Sequence, residues 1–242
     1  MSTPALDVLA IAAHRDDVEQ TCGGTLLKMA QRGYRTGILD LTRGEMGTRG
    51  TAEDRAREAA EAARILRVSW RDALDIPDGR VENTFENRVK IATVIRGQRP
   101  HVVILPYWQG RHPDHYTASM LGYEACFLAG LAQLKIDGKD SGPHRPFKII
   151  YATLYFDVRP TFVVDISDQF EARLHSILAY KSQFTDQEAG SKDFPAPNEI
   201  RDRVHSMARF YGLLAGVKYA EPFLQKEVGL IEDLLDIPVK SI

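Results

Sequence analysis

The chain has 242 residues, with 31 lysines and arginines against 33 aspartates and glutamates, and a formal charge of −2. That length suits one large α/β domain with a sizeable core, and the near-balanced charge argues against a nucleic-acid partner, which would need a net basic face. Cys22 and Cys126 stand far apart and form no Cys-x-x-Cys pair, which suits a reducing compartment. The opening run MSTPALDVLAIAA lacks a basic signal region and is too short to span a bilayer, so the expectation is a soluble cytoplasmic protein with no membrane partner.

ALDVLAIAA (5–13) reads as a buried strand, and GGTLLKMAQRG as the helix after it. YRTGILDLT (34–42) is a second strand. From Thr51 to Val68, Ala56, Ala59, Ala60, Ala63 and Leu66 recur at helical spacing behind a Thr51 N-cap. A short strand is expected around Ala73–Ile76 before the turn PDG (77–79), then a helix over 83–97 and a buried strand HVVILPY (101–107). A helix over about 114–133, β-like segments at 148–156 and 161–167, and helices over 168–184 and about 199–214 complete the series. TDQEAGSKDFPAPN (185–198) reads as a surface loop or lid. Strands alternating with helices imply a single Rossmann-like α/β domain over 1–242, its mainly parallel sheet covered by helices on both faces.

In such sheets ligands bind beyond the carboxyl ends of the strands. AHRDDVE, LTRGEMGTRG, LDIPDGR and PYWQGRHPDH each follow one of the first four strands, so their ionisable residues converge on one edge. His14 and Asp17, three residues apart, can be aimed at one point by a tight turn, and His115 from the fourth strand's loop supplies a third ligand. That set leaves an open position and suits zinc, although Fe(II) or Mn(II) would also fit. Asp16 is left to take a proton from bound water, and His112 to face the substrate with Asp114 orienting or charging it. His101, His144, His175 and His205 read as structural.

AHRDDVE with HPDH resembles the PIG-L/LmbE-like N-deacetylases, and the likeness extends through GGTL (23–26), DLTRGEMGTRGT (40–51), the helix at 55–66 and AYKSQF (179–184). The resemblance implies a Rossmann-like sheet, one zinc ion and hydrolysis of N-acetyl groups on glucosamine-type sugars. By position it implies zinc ligands at His14, Asp17 and His115, a general base at Asp16 and an oxyanion-stabilising histidine at His112 beside Asp114. Arg15 stands where the family usually has proline or alanine. GEMGTRGT and IPDGRVEN resemble the deacetylases of bacillithiol synthesis, which act on N-acetylglucosaminyl malate; other N-acetylglucosamine conjugates or chitooligosaccharides are the alternative. For that substrate Arg49 and Arg55 are candidates for carboxylate recognition, Arg55 matching the family's substrate arginine, and Glu45 resembles an acid that meets sugar hydroxyls.

A dinucleotide-binding oxidoreductase is disfavoured because no GxGxxG opens the first helix and acids occupy the phosphate position. A non-catalytic metal-binding protein is disfavoured by Asp16, an unliganded carboxylate with no use at a structural site. The aromatic run Phe210, Tyr211, Tyr219 and Phe223, with the Leu- and Ala-rich helices, predicts apolar surface for a homo-oligomer, which the family resemblance suggests is a trimer or hexamer.

Overall fold

The computed structural model describes residues 5–136, 142–154, 156–184 and 197–239. Its strands are β1 (Val8–Ala12), β2 (Thr36–Asp40), β3 (Trp70–Ala73), β4 (Val102–Pro106), β5 (Lys148–Ala152), β6 (Phe162–Asp165) and β7 (Ala220–Leu224). The helices are α1 (Asp17–Thr21), α2 (Gly23–Gln31), α3 (Ala52–Ile65), α4 (Phe85–Gln98), α5 (Pro113–Ala129), α6 (Phe170–Leu178), α7 (Lys181–Phe184) and α8 (Pro197–Leu214).

The seven strands form one sheet in the order β3-β2-β1-β4-β5-β7-β6. Pairing is parallel from β3 to β5, while β7 runs antiparallel to both of its neighbours. Along β1, Leu9 and Ile11 pack with Val103, Leu105, Ile91 and Leu121 towards α4 and α5, while Val8, Ala10 and Ala12 pack with Leu26 and Phe223 on the other face. Every residue of β1 and β2 is buried, and in β1 this shows as a continuous apolar run. The α/β expectation holds, and β1 and β4 meet where the strand order reverses, the crevice in which such sheets bind ligands.

Three boundaries move. The third strand lies earlier than expected, at Trp70–Ala73, because Leu74 and Ile76 already hydrogen-bond into the exits of β2 rather than along its ladder. The helix expected over 168–184 breaks at Ala179–Tyr180 into α6 and α7. β7 fell outside the expected strands, and of the aromatic residues expected to leave apolar surface, Tyr211, Tyr219 and Phe223 are buried and Phe210 is exposed. Most of the loop at 185–198 lies outside the described residues. Among the described residues no helix is long and apolar enough to cross a membrane.

Candidate metal centre and its surroundings

β1 delivers the chain into a tight turn in which Asp16 sits at φ 99°, ψ −21° as the N-cap of α1. That is the left-handed region, sparsely used by residues with a Cβ. The turn is closed by the His14 N–H donating to Asp17 Oδ2 at 2.9 Å and the Gln20 N–H donating to the Asp16 carbonyl at 3.1 Å. On the other side of the crevice, His112 caps α5, its Nδ1 accepting the Asp114 N–H at 3.2 Å ahead of Pro113 at the first helical position. His115 therefore projects from the helix's first turn.

Donor atoms of three residues meet between these elements. His14 Nδ1 lies 3.1 Å from His115 Nε2 and 3.5 Å from Asp17 Oδ2, and His115 Nε2 lies 3.3 Å from Asp17 Oδ1. Ligands at zinc distances around one tetrahedral centre stand roughly 3.3 Å apart, so this triangle fits such an ion. The far nitrogen, His14 Nε2, faces Asp78 Oδ1 at 3.1 Å and Asp114 Oδ2 at 3.2 Å. Asp114 is fixed in turn by the N–H groups of Gly79 and Val81, at 2.8 and 3.2 Å. Carboxylates in that place hold the proton on Nε2 and free Nδ1 as a donor.

His14, Asp78 and Asp114 also form a cluster with cation-binding donors, as do His14, His112 and His115. The first lies on the Nε2 side of His14, where the Asp114 oxygens also accept backbone N–H groups.

The electrostatics call for a cation here. Burial works against a charged His14, but Asp114, Asp17 and Asp78 outweigh it and raise its pKa to about 12. Burial, with the charge of Asp17, pushes Asp16 well above the usual carboxylate range. Burial opposes ionisation of Asp17 too, yet His115 and His14 hold it well below that range. His112 is pushed down, chiefly by burial and then by the neighbouring His14 and His115.

His14, Asp16, Asp17, His112, Asp114 and His115 thus gather at one point, although Asp114 differs from expectation. Its carboxylate engages His14, and only its backbone N–H reaches His112. Glu45 is exposed, accepting the Asp78 N–H at 2.8 Å while Asp78 Oδ2 accepts the Met46 N–H at 3.0 Å, so the two loops clasp each other. Arg55 is 7% exposed and donates to the Gln183 side chain rather than to an acid on its own helix. It lies against the loop at Gly44, where φ is +72° and an added Cβ would stand 2.6 Å from Arg55 Nη1. Arg49 is half-buried on that loop, and its carbonyl accepts from Gln183 Nε2 at 2.8 Å.

Arg15 donates to the Ala52 carbonyl at 2.9 Å, tying the turn after β1 to α3. The sequence assigned no role to Asp78 or Gln183, although Asp78 sits in the third strand's exit loop and Gln183 within AYKSQF. Glu19, grouped with the convergent acids, lies instead in a buried network with Arg71, Tyr180 and Asp40. His101, His144 and His205 are engaged elsewhere, with Phe147, Pro100 and Tyr219.

An apolar cavity of about 30 Å³ opens beside Asp17 and His115, walled by Val18, Cys22, Ile104, Ala152 and Leu154 at the ends of β1, β4 and β5. Sheet, switch-point crevice and histidine–carboxylate cluster together define a metal-dependent hydrolase.

Residues 9–126 match the family model described as PIG-L: GlcNAc-PI de-N-acetylase. The diacetylchitobiose deacetylase of Thermococcus kodakarensis is 34% identical over 88% of this chain and 80% of its own length. The crystal structure of a conserved protein from Thermus thermophilus superposes with a TM-score of 0.84 at 40% identity, covering 94% of this chain and 98% of that one. The N,N'-diacetylchitobiose deacetylase from Pyrococcus horikoshii, solved with its inhibitor MPG, gives 0.76 at 27% identity over 89% and 82%. The chain belongs to the PIG-L family of metal-dependent N-deacetylases.

Proposed function

We propose that this chain hydrolyses the acetamide of an N-acetylglucosaminide with an acidic aglycone, N-acetylglucosaminyl malate of bacillithiol synthesis being the reading favoured here. The observation that carries the hydrolytic part is the triangle of His14 Nδ1, Asp17 and His115 Nε2 with an elevated Asp16 carboxylate beside it. His14, Asp17 and His115 would hold one zinc ion, with Fe(II) or Mn(II) as the other metals the donors suit. Such an ion supplies an acidified water and polarises the acyl carbonyl.

Asp16 accepts the proton of the attacking water as its oxygen bonds to the acyl carbon. Gln20 Nε2 holds Asp16 Oδ2 at 3.2 Å. Because His112 Nδ1 accepts a backbone N–H, its neutral ring carries the proton on Nε2, which donates to the developing oxyanion. This departs from the imidazolium expected beside Asp114. Asp16 returns its proton to the amine as the C–N bond breaks, releasing acetate and the free amino sugar. Asp78 and Asp114 keep His14 oriented, and the small cavity beside Asp17 receives the acyl methyl.

Arg55 is too enclosed to reach a distant aglycone and is assigned to the sugar. Arg49, half-exposed on the loop after β2, is assigned to the aglycone carboxylates, with Glu45 closing the loop that carries it. The two diacetylchitobiose deacetylase relatives favour a neutral chitooligosaccharide as the competing substrate. The test is acetate release from N-acetylglucosaminyl malate, diacetylchitobiose and N-acetylglucosamine. The malate conjugate should be preferred, Arg49→Ala should weaken it selectively by about 10- to 100-fold, as expected for one charge-assisted contact, and Arg55→Ala should weaken all three. Equal use of the malate conjugate and N-acetylglucosamine by the unaltered enzyme would eliminate the acidic aglycone and leave the deacetylase reading standing.

A further inference from the structure

Beside the end of β7 stands an aromatic enclosure that the reaction leaves unused. Tyr151 of β5 pairs in register with Leu224 of β7, and alternation along an extended chain puts Lys226, two residues on, over the same face as Leu224. The Lys226 ammonium lies 4.9 Å from the ring centroid of Trp108, 5.0 Å from that of Tyr123 and 4.9 Å from that of Tyr151. An ammonium within about 6 Å of a ring centroid is attracted by the ring's face. Here a single ammonium meets three rings, which come from the loop after β4, from α5 and from β5. Trp108 and Tyr151 stand edge to face at 86° with centroids 4.9 Å apart, so those two rings also fix each other.

Trp108 sits in the wall of the small cavity beside Asp17. Its chain neighbours Tyr107, Gln109 and Gly110 line that cavity together with His115. The tryptophan packs on the Tyr107 ring, centroid to centroid 4.5 Å, and against the core beneath α5. The Tyr107 N–H still donates to the Ala152 carbonyl of β5 at 2.8 Å. Past that bond the wall leaves the sheet and contains a glycine, so its shape depends on what grips Trp108.

We propose that Lys226 is a positioning residue that sets acyl-group selectivity: seated against Trp108, Tyr123 and Tyr151, its ammonium latches the segment after β7 onto the wall of the acyl cavity and keeps that cavity to the size of a methyl group. This rests on the reading that the small cavity receives the acyl methyl. Lys226 itself touches neither substrate nor metal ligand and acts through Trp108. Its charge matters more than its bulk. Methionine has an apolar stem of similar shape without the charge, whereas arginine keeps the charge and stacks well on aromatic faces.

Lys226→Met, Lys226→Arg and Tyr123→Leu test this in the full-length protein carrying Trp70→Phe, which leaves Trp108 as its single tryptophan. Acrylamide should quench Trp108 fluorescence more strongly in Lys226→Met than in the parent, and Lys226→Arg should match the parent. Acetate release from N-acetylglucosamine against propionate release from N-propionylglucosamine reads the cavity wall. The acetyl-over-propionyl ratio of kcat/KM should fall by about two- to fivefold in Lys226→Met, the factor that one exposed cation–π contact is worth. Tyr123→Leu, which removes one ring from the α5 side, should move it the same way, and Lys226→Arg should restore it. A lysine that only anchored the chain end would lower Tm and leave the ratio alone. Quenching unchanged in Lys226→Met, or an acyl ratio unchanged in both Lys226→Met and Tyr123→Leu, would overturn the proposal. A parent that releases neither acid would instead count against the glucosaminide substrate, and Trp108 quenching would still decide the latch.

Discussion

The backbone at Asp16, with φ at 99°, stores roughly 1–3 kcal/mol that an unconstrained residue would release. The surroundings that hold it are one closed turn, the Gln20 side chain and Arg15 anchored on α3. Strain at a proton-transferring residue is a trade of stability for placement. Asp16→Asn should therefore retain metal while kcat falls by about 10²–10⁴, the usual scale for a general base. Asp16→Gly should be equally inactive yet melt at a higher temperature than Asp16→Asn, because glycine adopts this φ without cost. Metal analysis, acetate release and thermal melts read all three effects, and equal melting of the two variants would argue against stored strain.

At this scale the sequence was most informative where ligands sit beside a strand end. His14, Asp16 and Asp17 are neighbours, and HPDH marks the helix start that presents His115. Asp78 was illegible because its role is a contact across 64 positions, from Asp78 Oδ1 to His14 Nε2. The direction of the Asp114 carboxylate was equally hidden, since adjacency to His112 in the chain says nothing about which histidine it faces.

Among the elements, β7 was the least readable. AEPFL holds a glutamate and a proline inside five residues, which count against a strand. Yet Glu221 is wholly buried, its carboxylate accepting the N–H groups of Gly24 and Thr25 at 2.8 and 2.7 Å and the Thr25 hydroxyl at 2.6 Å. It thereby caps α2 from 196 positions away, where its charge suits the helix N-terminus. Arg173 of α6 pairs with it at 2.9 Å and donates to the carbonyls of Glu19 and Gln20 at the end of α1.

The most legible strands, β1 and β4, are those whose burial shows as uninterrupted apolar sequence. β7 is buried because its polar residue has a partner, and no single-sequence pattern reveals a partner. Glu221→Gln removes the charge opposite a buried guanidinium, and breaking such a pair costs about 3–5 kcal/mol. Urea unfolding should show that loss, and kcat should fall as α1 loosens. A change under about 0.5 kcal/mol, the usual range for surface changes, would mean that the pair is not a brace.

For the molecule as a whole, one ion would join loops that follow β1 and β4, and through Asp78 and Asp114 the loop after β3. A ligand that binds only the folded chain stabilises it by about 4 kcal/mol at a thousandfold excess over Kd. At roughly 2–4 °C per kcal/mol for a chain of this size, zinc should raise Tm by about 10 °C, and a chelator should reverse the rise. A Tm indifferent to both would speak against a metal held by three elements.

β7 also sets a timetable. It is the last strand among the described residues, yet it lies between β5 and β6, and its glutamate secures a helix that follows the first ligands. A nascent chain leaving the ribosome therefore exposes His14 and Asp17 some two hundred residues before the element that steadies them arrives. Until then the sheet has a gap and the turn at Asp16 has no reason to stay in its costly conformation. Chains stalled before Ala220 should neither retain metal nor cleave acetamide, so a partly made copy cannot act as a stray hydrolase.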